Sequence, residues 1–181
     1  QLNLLVGDVP GNTQTVIHAA TEARDELGAA AVVFPELTLT GYPPDDLLLR
    51  GDFIAPVQAA ITRLQREVHG ITTIVGAPRA TQNGLYNSAF VIRDGDVVAV
   101  YDKHHLPTYG VFDDRRYFDA GTRSCVVDIA GCRVGVTICE DAWRAGPVEA
   151  AAQAGADVVV NLNASPFDHR KWSARESVLR E

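Results

Sequence analysis

The chain has 181 residues, 46% of them hydrophobic, with 16 basic against 23 acidic side chains and a formal net charge of -7. That length supports one domain with a substantial core, and the acidic balance argues against nucleic acid as the main partner. No apolar run approaches the roughly 18 residues that span a bilayer. Three cysteines without Cys-x-x-Cys spacing argue against a disulfide framework or a zinc site, so no metal and no membrane partner are expected. Free thiols fit a reducing cytoplasm, and Gln1 to Val6 shows no basic segment leading into a long apolar one. Methionine is absent, and the last residues fall inside an expected helix, Ser173 to Glu181. The chain is therefore expected to be incomplete at both ends.

In chain order, Leu2 to Val6 reads as a strand closed by the turn residues Gly7-Asp8-Val9-Pro10-Gly11. Asn12 or Thr13 is expected to cap a helix running to Leu27, with Gly28 as its stop. Val16, Ile17, Ala20, Ala23 and Leu27 give it an apolar face. Ala30 to Phe34 reads as a strand, Thr38 to Pro44 as a loop, and Asp45-Asp46 opens a helical turn through Arg50. Asp52 to Val68 reads as a second amphipathic helix, and Thr72 to Val75 as a strand followed by loop residues Gly76-Ala77-Pro78. Asp94-Gly95 joins strands Tyr86 to Ile92 and Val97 to Tyr101 in a hairpin, and Ala130-Gly131 joins Cys125 to Ile129 with Arg133 to Ile138. A helix over Pro147 to Ala154 and a strand over Asp157 to Leu162 complete the pattern. Strand–helix alternation mixed with hairpins predicts an α/β protein with mixed sheets.

Three strands each end on a reactive residue. Val32-Val33-Phe34-Pro35 delivers Glu36, Val97 to Asp102 delivers Lys103, and Val134 to Ile138 delivers Cys139. In open α/β architectures sites form beyond the carboxyl ends of strands. A carboxylate can take a thiol proton, a cysteine can attack a carbonyl, and a lysine can stabilise the resulting oxyanion. Glu140 and Asp141 after Cys139 read as the first turn of a helix, whose N-terminus is expected to favour thiolate over thiol.

Phe34-Pro35-Glu36, Asp102-Lys103-His104 and Ile138-Cys139-Glu140-Asp141 resemble the Glu-Lys-Cys signature of the nitrilase, or carbon–nitrogen hydrolase, superfamily. Within it, the stretches from Gly41 to Leu49 and from Leu106 to Phe118 resemble those of the glutaminase domains of bacterial-type glutamine-dependent NAD synthetases. The resemblance runs from Gln1-Leu2-Asn3 to Ala164-Ser165-Pro166-Phe167. It implies a nitrilase-like αββα four-layer sandwich, two mixed sheets between helix layers, with residues 1–181 as one glutaminase domain and the synthetase domain outside the chain. It further implies hydrolysis of the L-glutamine side-chain amide, with the ammonia passed to a synthetase domain that amidates deamido-NAD. Cys139 would be the nucleophile, Glu36 the general base and Lys103 the oxyanion donor, joined by the Glu140 N–H. Tyr109, Ser165 and Lys171 match glutamine-binding positions, Phe112 would line the pocket, and Glu140 would support the Lys103 ammonium. This domain would need no cofactor, and ATP and magnesium would serve only the synthetase domain. A homo-oligomer is implied. Thr108 departs from the usual Asn of relatives beside Tyr109.

Two other readings compete. One is a stand-alone amidase or carbamoylase of the same superfamily; the other is a catalytically idle scaffold. His104 and His105 are adjacent on an extended segment and so point to opposite faces, which makes them poor joint metal ligands; structural roles are expected. Cys125 and Cys132 read as bystanders.

Overall fold

The computed structural model describes residues 2–166 and 171–180, without the side chains of Lys171 and Leu179. Helix α1 (Val9–Asp25) leads into strand β1 (Ala31–Val33), a 3-10 turn (Asp45–Leu49) and helix α2 (Ile54–Glu67). Strands β2 (Thr72–Thr81), β3 (Gly84–Arg93) and β4 (Asp96–Asp102) follow, then β5 (Val126–Ile129) and β6 (Cys132–Ile138). Helix α3 (Pro147–Gln153), strand β7 (Val158–Leu162) and helix α4 (Lys171–Arg180) end the described chain.

The strands form two mixed sheets. One has the order β1-β2-β3-β4, with β1 parallel to β2 and the other pairs antiparallel; the second has the order β5-β6-β7, with β6 parallel to β7. Alternation along the strands sorts side chains to two faces. Ile74, Ala89, Val91 and Tyr101 face Val134, Val136, Ile138 and Leu162 of the second sheet, forming a core between the sheets. Val75, Ala77, Phe90 and Ile92 point the other way, onto Val16, Ala20, Ile61 and Leu64 of α1 and α2. On the far side α3 covers the second sheet, where a Cβ on Gly135 would lie 2.9 Å from that of Ala151. The layers are therefore α, β, β, α, as expected. Burying each Leu, Ile or Val side chain in these cores contributes about 1.5–3 kcal/mol.

The boundaries differ from expectation in three places. Leu2 to Val6 is not a strand: its Leu5 backbone is held by the Asn12 side chain, which accepts from Leu5 N–H at 3.0 Å and donates to Leu5 C=O at 2.8 Å. Helix α1 starts a turn early because the Asp8 carboxylate caps Gly11 N–H at 3.0 Å and Pro10 fits a first turn, where its missing N–H costs nothing. Gly76-Ala77-Pro78 is not a loop but the middle of β2. Gly76 C=O accepts from Leu39 N–H, so its polar groups face away from β3, and Pro78, two residues on, faces the same way and loses no ladder bond to β3.

Candidate active site

Strands β1, β2 and β4 run in one direction, so Glu36 and Lys103 leave the first sheet at the same end. Glu36 is placed by close backbone packing. A Cβ on Gly76 would lie 2.5 Å from both Pro35 C=O and Leu37 N, so only glycine lets the turn lie flat on β2. Leu37 then takes a left-handed conformation (φ 49°) that turns the chain away. Lys103 is fixed on both sides: its N–H donates to Asn87 C=O at 2.9 Å, and its C=O accepts from Gly121 N–H at 2.8 Å.

Glu36 and Lys103 are each 1% exposed, and the Lys103 ammonium donates to Glu36 Oε1 at 2.6 Å. Asn87, on the antiparallel β3 between them, donates its amide to the same Oε1 at 2.8 Å. The ammonium also donates to Asp114 Oδ2 at 2.6 Å, from a 3-10 turn in the loop after β4. Burial works against the Lys103 charge, but the two carboxylates outweigh it and hold its pKa above the usual lysine value. Asp114 is pushed up by burial, with the Lys103 charge opposing. Glu36 Oε2 is buried and makes no hydrogen bond among the described residues.

Cys139 comes from the other sheet, at the end of β6, and is 6% exposed. Its backbone is left-handed (φ 44°), an uncommon and costly conformation for a residue with a side chain. Burial pushes its thiol up to about 12; the Glu36 charge adds to this and the Lys103 ammonium opposes it. The expected helix-start thiolate is therefore corrected. Residues Cys139–Ala142 form a 3-10 turn of four residues, too short for a strong dipole, and burial beside a carboxylate dominates. A resting thiol needs a base, and the unpartnered Glu36 oxygen is a neighbouring acceptor.

The rim is built differently. The Tyr109 hydroxyl donates to Glu140 Oε2 at 2.7 Å, and Arg144 Nε donates to Glu140 Oε1 at 2.9 Å. Phe112 packs edge-on against Tyr109, with ring centroids 5.8 Å apart. The expectation that Glu140 supports the Lys103 ammonium is therefore corrected: its carboxylate is taken by Tyr109 and Arg144, and Asp114 bonds the ammonium instead, because its turn folds back over the β4 end. Ser165 accepts from Arg175 at 3.0 Å. It lines a cleft of about 300 Å³ with Ala142, Trp143, Asn161 and Asn163, just past the Cys139 turn. The Lys171 side chain lies outside the described residues. Thr108 is exposed.

Sequence reasoning missed Asn87 and Asp114. Asn87 looks like an ordinary strand residue, and only pairing with β4 puts it beside Lys103. Asp114 stood inside a recognised stretch, where an acidic Asp113-Asp114 pair eleven residues past a candidate lysine is the signal that was available. The backbone N–H groups of His104 and His105 both donate to Asp141, and the His104 ring stacks on Tyr101 at 5.2 Å, which gives His104 a structural role. All three cysteines are free. Among the described residues no helix is long and apolar enough to cross a membrane.

A buried carboxylate, ammonium and thiol, delivered by three strand ends across two sheets, are suited to attack on an amide carbonyl. A model of the carbon-nitrogen hydrolase family matches residues 1–181. The chain belongs to the carbon-nitrogen hydrolase family. Among members of this family, the glutamine-dependent NAD(+) synthetase of Xanthomonas campestris pv. campestris is 45% identical over 183 residues, covering 100% of this chain and 33% of that protein. The solved glutamine-dependent NAD+ synthetase of Acinetobacter baumannii, in complex with ADP, superposes with a TM-score of 0.91 at 39% identity, over 98% of this chain and 34% of that one. A carbon-nitrogen hydrolase fold is also shared with an amidase from Nesterenkonia sp. AN1 carrying acrylamide on its active-site cysteine, at a TM-score of 0.84 and 26% identity, over 94% of this chain and 67% of that one. The chain spans about a third of the length of the synthetases it matches.

Proposed function

We propose that this chain is the glutaminase part of a glutamine-dependent NAD synthetase, hydrolysing the side-chain amide of L-glutamine to supply ammonia. The observation that carries the reading is the buried Glu36–Lys103 pair at 2.6 Å, with a free Glu36 oxygen and the Cys139 thiol beside it. Cys139 Sγ attacks the amide carbon while its proton passes to Glu36. The C=O electrons move to oxygen, and the oxyanion is met by the Lys103 ammonium and the Glu140 N–H, a first-turn donor of the kind worth about 3 kcal/mol. Collapse breaks the C–N bond, and ammonia leaves with the proton from Glu36. Water, giving a proton to Glu36, then adds to the thioester. Glutamate departs, and the sulfur regains its proton.

Tyr109, Phe112, Ser165 and Lys171 would hold the amino-acid end of glutamine, with Glu140 fixed by Tyr109 and Arg144. Hydrolysis in this reading runs on the chain's own side chains and the Glu140 N–H; ATP and magnesium would be used by the synthetase part. Three free cysteines support a cytoplasmic setting. Assembly as a homo-oligomer rests on the family resemblance. Identity of 45% along the whole chain favours this reading over a stand-alone amidase, which rests on 26%.

In the full-length enzyme, Cys139→Ala is expected to lower glutamine-dependent NAD synthesis by more than about 10³-fold, the scale seen when a covalent nucleophile is removed. Synthesis from added ammonia should persist. Glutamine use surviving the substitution, or aliphatic amides outpacing glutamine in the parent, would overturn the reading.

A further inference from the structure

Asp141 has no exposed surface and takes no part in the steps above. Its Oδ1 accepts His105 N–H at 2.8 Å and His104 N–H at 3.2 Å; its Oδ2 accepts the Tyr101 hydroxyl at 2.9 Å and Ile138 N–H at 3.3 Å. His104 and His105 directly follow Lys103, Tyr101 precedes it by two, and Ile138 directly precedes Cys139. One carboxylate thus grips the end of β4 in the first sheet and the end of β6 in the second. Among the described residues no lysine or arginine pairs with it. Its buried charge is instead held by four donors, and hydrogen bonds to an ionised group are stronger than neutral ones.

A buried carboxylate without a cation is costly, and an apolar residue would fill the space between two sheets more cheaply. What the carboxylate supplies is a joint. Besides this grip, the two strand ends are joined by the Tyr109–Glu140 hydrogen bond at the rim and by side-chain packing, and packing fixes spacing but not the rotation of a backbone turn. Cys139 needs that rotation fixed, because its φ of 44° is unfavourable and its Ile138 N–H is tied to Asp141. Lys103 needs it too, since the N–H groups of the next two residues end on the same carboxylate. We propose that Asp141 is a positioning residue that sets the Cys139 sulfur against the Lys103 ammonium across the interface between the sheets. The inference rests on the reading of Cys139 and Lys103 as the reacting groups.

Loss of the joint should misplace the oxyanion donor without emptying the substrate pocket. Asp141→Asn in the full-length enzyme keeps the volume but turns one acceptor into a donor facing N–H groups. It is expected to lower kcat for glutamine about 10- to 100-fold, the cost of a misplacement near 1 Å. KM for glutamine should stay within about twofold, and ammonia-dependent synthesis should be unchanged. A glutamine-like diazoketone should still label Cys139 to one equivalent, only more slowly. Asp141→Glu, which keeps the charge but shifts the acceptors, should show the same split, and Tyr101→Phe, which removes one donor of four, a much smaller one. Unchanged kcat in both Asp141 variants would overturn the proposal. So would a joint loss of kcat, KM and labelling in both, which marks a residue that only keeps the domain folded. Cys139→Ala measured alongside separates the two levels: if it retains glutamine use, the catalytic reading has failed, whereas a normal Asp141→Asn beside an inactive Cys139→Ala refutes only the joint.

Discussion

The reacting centre and its rim follow opposite rules. Glu36, Lys103 and Cys139 stand on strand ends, almost fully enclosed, and Lys103 is tied to two carboxylates. Tyr109 stands on the loop after β4, is 52% exposed, and among the described residues has a single side-chain hydrogen bond, to Glu140. In the centre, burial raises the cost of every unmatched charge, so geometry and protonation are locked together. At the rim, solvent competes with each contact, so a residue contributes to binding while leaving the fold unchanged. Substitutions in the two regions should therefore fail in different ways.

The largest effect is expected at Lys103. Lys103→Met leaves Glu36 and Asp114 facing each other in a dry site, and breaking a buried pair in this way costs about 3–5 kcal/mol. Glutamine-dependent turnover should vanish and the melting temperature should fall by several degrees, read by calorimetry beside the activity assay. Lost turnover with an unchanged melting temperature would show that the centre tolerates an unpaired carboxylate pair, contrary to its burial.

Glu36→Gln separates protonation from catalysis. Removing the base should lower kcat by about 10²- to 10⁴-fold. Removing its negative charge should also bring the Cys139 thiol down from about 12, since that charge is the second cause of the rise after burial. The thiol pKa and the turnover should both fall, checked by the pH dependence of alkylation and by steady-state rates. The sign for stability follows as well. The folded thiol holds its proton above the ordinary value of 9.0 that the unfolded chain has. Stability is thus fully present below about pH 9 and falls between pH 9 and 12, by up to about 1.4 kcal/mol per unit for this group. Cys125, pushed up to about 11 by burial, adds to the same decline.

The sequence announced the reacting residues better than the groups that hold them. Each of Glu36, Lys103 and Cys139 follows an apolar strand run, and that pattern is local. Asn87 and Asp114 were hidden because their roles depend on which strand pairs with β4 and how a loop folds back, which no local period encodes. The false strand at Leu2 to Val6 has the same origin: its apolar pattern is real, but Asn12 supplies the hydrogen bonds that a neighbouring strand would have. The thiolate expectation failed because it weighed a helix end without the burial and the carboxylate that only the folded site brings.

The smallest effect is expected at the rim. Tyr109→Phe removes one hydrogen bond to Glu140, worth about 1 kcal/mol. KM for glutamine should rise about fivefold, with kcat and melting temperature nearly unchanged. A fall in kcat comparable to that of Glu36→Gln would erase the distinction between centre and rim.

The convergence of acid, amine and sulfur is tested most directly by labelling the full-length enzyme with a glutamine-like diazoketone and locating the adduct by peptide mass spectrometry. A single equivalent on Cys139, with Cys125 and Cys132 unmodified and the reaction suppressed in Glu36→Gln, is the expected result. Label spread over the three cysteines, or Cys139 labelling at an undiminished rate without Glu36, would contradict the account.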